Sequence, residues 1–121
     1  MHSVSRSPRI APWQLWWVDL GTPIGHEQGG RPAIVVSSST HCRFPIDMAL
    51  IVPLTTRDLR LDHHVRIAST ESGLNRPSWA RTEDIRAVTT TRFTRPQPIG
   101  TASASEIEQL SDWLREMVAF S

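Results

Sequence analysis

Lysine is missing from this 121-residue chain: all 13 cations counted as Lys+Arg are arginine. Every positive charge is therefore a flat guanidinium, which grips phosphate through a bidentate fork and resists deprotonation. A GC-biased coding sequence also favours Arg over Lys, so composition permits a phosphate-rich partner without requiring one. Excess positive charge is lacking too. Against 12 acidic residues the net charge is +1, which excludes the strongly basic balance of a non-specific nucleic-acid coat. Cys42 is the single cysteine. That excludes an intramolecular disulfide and a zinc-thiolate site. No apolar run approaches the roughly 18 residues a membrane span needs. Arg6 and Arg9 are not followed by an apolar signal core, so the reading is a cytoplasmic protein with no membrane association. No internal repeat is visible. A hydrophobic content of 39% lies outside the disordered class, and the length suits one domain with one real core.

What is present is a series of short apolar segments separated by turn residues. Residues 1–12 are polar and proline-bearing and read as a flexible N-terminal arm, with one domain over residues 13–121. Gln14 to Leu20 reads as a strand stopped by Gly21-Thr22-Pro23. Arg31 to Ser37 is apolar on both faces, which predicts a central strand. Ser38 to Pro45 reads as a turn region, and Met48 to Val52 as a third strand ended by Pro53. Thr55 to Asp62 is polar and suits a helical turn. His64-Val65-Arg66-Ile67 and Ser78-Trp79-Ala80-Arg81 alternate as half-buried strands do, and Asp84 to Thr90 supplies another strand.

The C-terminal element is helical. Ile107, Leu110, Leu114, Met117 and Val118 form one stripe, widened by Trp113, and Ser103-Ala104-Ser105-Glu106 fits a capping box. Short strands followed by one amphipathic helix predict an α+β fold, a small curled antiparallel sheet covered on one side or end.

The polar loop Gly25-His26-Glu27-Gln28-Gly29-Gly30-Arg31-Pro32 runs straight into Ala33-Ile34-Val35-Val36-Ser37. A rigid strand behind such a loop fixes where its imidazole, carboxylate and guanidinium point, the setting in which binding and catalytic groups concentrate. Around it stand Leu15-Trp16-Trp17-Val18-Asp19, Val52-Pro53-Leu54-Thr55-Thr56, Gly73-Leu74, Ser78-Trp79-Ala80-Arg81, Ile85-Arg86-Ala87-Val88 and Gly100 before the helix. In that order, over residues 14–118, the series resembles the MazF/PemK family of toxin endoribonucleases.

The resemblance implies an SH3-like antiparallel β-barrel of the PemK/CcdB kind with helical additions, usually a homodimer. It implies cleavage of single-stranded RNA at short motifs, with no metal or other cofactor, by the toxin of a type II toxin-antitoxin system. A cognate antitoxin would hold the toxin inactive, through an acidic segment suited to an arginine-bearing groove, and the complex would bind operator DNA. The family's loop arginine matches Arg31 and its threonine after the third strand matches Thr55, while Glu27 and His26 match its first-loop acid and imidazole. Gln28, Arg81, Glu83 and Arg86 fall at RNA-binding positions. Arg81-Thr82-Glu83-Asp84 departs from an Arg-Cys-Asp-Gln pattern in some relatives, which leaves the role of Glu83 open.

Cutting RNA without a metal uses the neighbouring 2′-hydroxyl as nucleophile. Its proton must be removed, the phosphorane stabilised and the departing 5′-oxygen protonated. Arg31 is read as the clamp on the phosphorane, with proton donation as a second role although its pKa above about 12 makes it a reluctant acid. Thr55 is read as a hydrogen bond to the phosphate or to Arg31. His26 is the better proton shuttle near neutral pH, whereas Glu27 must be raised by burial to serve. Two other readings stand beside this one: a non-catalytic barrel binding module, and a toxin of similar fold that poisons DNA gyrase. His63-His64 and His41-Cys42 are read as structural or solvated, the first pair because neighbours in a strand face opposite sides. Trp16, Trp17, Trp79 and Trp113 are read as core or dimer contacts, with Trp13 the most exposed.

Overall fold

A computed structural model of the chain describes residues 8–21 and 30–120. Among the described residues seven strands form one antiparallel sheet: β1 (Gln14–Val18), β2 (Arg31–Val35), β3 (Met48–Thr55), β4 (His64–Ile67), β5 (Ser78–Arg81), β6 (Arg86–Thr89) and β7 (Gly100–Thr101). Their order is β4-β5-β3-β2-β1-β7, with β6 pairing on β3. Helix α1 (Ser39–Cys42) lies between β2 and β3, and α2 (Ala104–Met117) follows β7. The result is the expected α+β layout, a curled antiparallel half-barrel with a C-terminal helix.

Both faces of the sheet centre are buried, which is why β2 reads as apolar throughout. Leu15, Ile34, Val52 and Leu54 point to a core shared with Val65, Ile67, Ala80 and Leu110 of α2. Their neighbours Trp16, Ala33, Val35 and Ile51 point the other way, onto Val18, Ala49 and Phe93. The two-residue side-chain period thus feeds two clusters at once.

Sequence boundaries hold where the pattern is local. β4 and β5 coincide with the alternating segments, and β6 falls inside Asp84 to Thr90. Other segments differ. The third strand does not stop at Pro53 but continues to Thr55. One edge of β3 pairs with β6 over Met48–Ile51 and then with β5 over Leu54–Thr55. Pro53 falls between those two ladders, where a missing N–H is tolerated. The same change of partner bends the sheet. Ser38 to Pro45 holds a helical turn, because the Ser38 hydroxyl accepts from the His41 N–H and caps it. Thr55 to Asp62 is not helical. There the Thr55 and Asp58 side chains accept the Arg57 and Arg60 N–H groups, closing side-chain turns.

Helix α2 carries the capping box read from its sequence: the Ser103 hydroxyl accepts the Glu106 N–H, and Glu106 accepts the Ser103 N–H in return. The same carboxylate accepts from the Ala68 N–H at 2.9 Å, the Ser69 N–H at 3.0 Å and the Ser69 hydroxyl at 2.7 Å. One side chain therefore starts the helix and ties it to the segment after β4. Burial alone would raise the Glu106 carboxyl, but these hydrogen bonds outweigh it and hold the group below its ordinary value. Leu110 is fully buried, whereas Met117 and Val118, the last members of the predicted stripe, are exposed and the helix ends at Met117.

Candidate active site

Pairing of β2 with β3 runs Ala33↔Pro53, Ile34↔Val52, Val35↔Ile51. Extending that register two residues toward the strand ends sets Arg31 across from Thr55. On its other side Arg31 faces Val18 of β1, and Thr55 faces Trp79 of β5. The two residues are thus delivered to one place by sheet pairing rather than by loop flexibility. Gly30 makes the entry possible. Its φ is +82°, and a side chain there would strike the Val18 carbonyl, so the chain can close on β1 only with glycine.

Arg31 and Thr55 line two adjoining concavities. One, of about 500 Å³, is bounded by Trp17, Gly30, Arg57, Leu74 and Arg76 as well. The other, of about 300 Å³, adds Gly21, Pro53, Arg81 and Arg86. Among the described lining residues every charged one is an arginine. Such a surface favours an anion with several phosphates spaced along it. The Thr55 hydroxyl accepts the Arg57 N–H at 3.1 Å, which directs its own proton away from that bond.

His26, Glu27 and Gln28 lie outside the described residues. The glycines on either side of that stretch, Gly21 and Gly30, line the two concavities. Arg81 and Arg86 meet at Asp84: Arg86 donates to it at 2.7 Å and Arg81 lies 3.8 Å away. Glu83 is not among the lining residues. Its carboxylate meets His64 Nε2 at 3.0 Å, His63 Nε2 at 3.2 Å and Arg81 Nε at 3.5 Å. Burial works to raise the Glu83 carboxyl, but its own backbone N–H, the His64 bond and the charge of Arg81 outweigh that and keep it low.

Three expectations need correction. His63 and His64 do not face apart, because His63 sits in the turn before β4 and strand alternation does not reach it. Their rings lie 4.9 Å apart. Trp13, expected to be exposed, is half-buried against the core and donates its backbone N–H to the Val35 carbonyl. Trp17 is not core but lines the larger concavity, with the Arg95 guanidinium 5.0 Å over its ring. Arg57 and Arg76 escaped the sequence reading. The signal for both was nearness to a motif, two residues after Thr55 and two after Leu74.

The family described as PemK-like, MazF-like toxin of type II toxin-antitoxin system matches residues 11–118. This chain belongs to it. Among curated PemK/MazF relatives, the chain is 34% identical over 108 residues to Endoribonuclease MazF9 of Mycobacterium tuberculosis, covering 84% of this chain and 90% of that protein. Its fold is similar to that of an endoribonuclease solved with its cognate antitoxin from a mycobacterial species. There the TM-score is 0.70 at 16% identity, over 93% of this chain and 98% of that one. It is also similar to the MazE-MazF structure (Form-II) from Deinococcus radiodurans, with a TM-score of 0.74 at 21% identity, over 93% and 98% of the two chains. The PemK/MazF fold therefore extends over nearly all of the chain.

Proposed function

We propose that this PemK/MazF-family toxin, an RNA-cleaving enzyme, cuts single-stranded RNA at the wall where Arg31 and Thr55 meet. The observation that carries the reading is that both residues line the same two arginine-bounded concavities. The neighbouring 2′-hydroxyl attacks the phosphorus, the P–O5′ bond breaks, and the products end in a 2′,3′-cyclic phosphate and a 5′-hydroxyl. Arg31 neutralises the equatorial oxygens of the phosphorane, and Thr55 donates a hydrogen bond to one of them. His26 and Glu27 serve the two proton transfers, no metal takes part, and Gln28 contacts a base. A duplex resists the in-line geometry this reaction needs, so flexible single strands are the substrate.

Incubating the purified chain with a long RNA in EDTA tests the reading. Discrete fragments ending in cyclic phosphate support it. Intact RNA with inhibited DNA gyrase supports the gyrase poison instead, and intact RNA that is merely bound supports a binding module. Arg81 and Arg86 track flanking phosphates, with Asp84 holding the Arg86 fork in place. Arg86→Ala is then expected to weaken RNA binding similarly for all sequences. The log–log slope of affinity against salt should become shallower by about 0.7, measured by fluorescence anisotropy.

The toxin works in the cytoplasm as a homodimer. A cognate antitoxin covers part of the arginine-lined surface with an acidic segment, and operator DNA binds through the complex. Exposed Phe44, Ile46, Leu59 and Leu61 supply apolar area for such contacts.

A further inference from the structure

We infer that His63, His64 and Glu83 form a binding site for one zinc-class divalent cation, outside the RNA-cutting wall. Two imidazole nitrogens and a carboxylate oxygen converge there, all within 4.8 Å of one another. Both Nε2 atoms approach the same oxygen, Glu83 Oε1, at 3.0 Å from His64 and 3.2 Å from His63. Around a tetrahedral zinc, with bonds of about 2.0–2.2 Å, neighbouring ligand atoms stand about 3.3–3.6 Å apart. The two nitrogen–oxygen distances are a few tenths of an ångström shorter than that, so a small outward shift of the carboxylate admits the ion.

The surroundings suit such a site. His64 is 1% exposed and its ring is fixed by the β4 backbone, whereas His63 at 27% and Glu83 at 36% leave an open side. Cation entry and a water as fourth ligand both use that side. Trp113 of α2 flanks His63, with ring centroids 6.2 Å apart. The other carboxylate oxygen, Oε2, lies 3.3 Å from His64 Nε2 and 3.5 Å from the Arg81 Nε, so both oxygens face the cluster. Two imidazoles with one carboxylate favour zinc over the hard, oxygen-seeking magnesium and calcium.

Affinity is limited by one feature. With Nε2 on the metal, the His64 proton moves to Nδ1, a buried atom that has no hydrogen-bond partner among the described residues. A ligand lacking that outer partner binds metal about 10–100-fold less tightly than one that has it. The site therefore exchanges its ion rather than locking it. Neither histidine lines the concavities around Arg31 and Thr55, but Arg81 touches both places. A bound cation would thus pin the turn before β4 to the segment after β5 and fix the guanidinium between them.

The test is calorimetric titration of the full, tag-free, metal-stripped chain with zinc chloride and, separately, magnesium chloride. One zinc per chain is expected, with a raised Tm and no heat from magnesium. His63→Ala and Glu83→Gln, both at partly exposed positions, should each weaken zinc binding at least about tenfold while circular dichroism stays that of the wild type. No zinc uptake by the intact chain overturns the proposal, and so does a folded His63→Ala or Glu83→Gln protein that binds zinc as tightly as the wild type.

Discussion

Arg31→Ala is expected to lower RNA cleavage by about two to four powers of ten, the range lost with a well-placed electrostatic group. The fold should survive, because the side chain is exposed at the first position of β2 and lies outside both apolar clusters. Loss should appear mainly in kcat. In the proposed reaction Arg31 acts on charge that develops in the phosphorane, whereas Arg57, Arg76, Arg81 and Arg86, which line the same concavities, would remain to hold the ground-state phosphates. Arg31→Lys separates charge from shape: an ammonium keeps the charge but loses the bidentate fork, so activity should fall between the two. The check is single-turnover cleavage of a labelled RNA by proteins of matched circular dichroism. A folded Arg31→Ala protein that cuts at the wild-type rate removes this residue from the chemistry.

Glu106→Ala should be the most damaging polar substitution to stability, at about 3–5 kcal/mol in a denaturant melt. The carboxylate accepts from the Ser103, Ala68 and Ser69 N–H groups and from the Ser69 hydroxyl, and alanine leaves all four without it in a largely buried place. Domains of this size hold only about 5–15 kcal/mol in total, so the loss is a large share. Acidity should reproduce part of the effect. The folded Glu106 carboxyl lies below its ordinary value of 4.5, so its contribution is complete above that pH. It drains away as pH falls through the lower, folded value. Melts between neutral pH and about pH 3 should show the wild type losing its advantage over Glu106→Ala as acid increases. A constant gap across that range would mean the charge contributes nothing.

Local chemistry was legible in the residues. The bounds of β4 and β5, the doubly apolar β2 and the Ser103–Glu106 box all follow from side-chain period and capping, which act over a few residues. Pro53 misled, because its missing N–H matters only if a partner strand needs it, and that depends on where β6 gives way to β5. Ser38 misled for a related reason: a turn and a capped helical turn begin with the same residue types. The second half of the capping glutamate's work was invisible, since Ala68 and Ser69 lie far away in sequence.

At the candidate site the motifs pointed to Arg31 and Thr55 only through resemblance; nothing in their spacing sets them side by side. The pairing of β2 with β3, which runs to within two residues of both, brings them to the same concavities. Register also brings Arg81 opposite His64 across β4 and β5, and so carries Glu83 to the histidine pair and away from the concavity walls. By itself the chain determined most of its strands, its terminal helix and a positive charge carried by guanidinium groups alone, because periodicity, capping and charge are properties of neighbouring residues. Only the tertiary structure decided which arginines share a wall and which carboxylate meets two imidazoles. Those meetings depend on how distant strands align, and a one-residue slip in alignment would turn every such side chain to the opposite face.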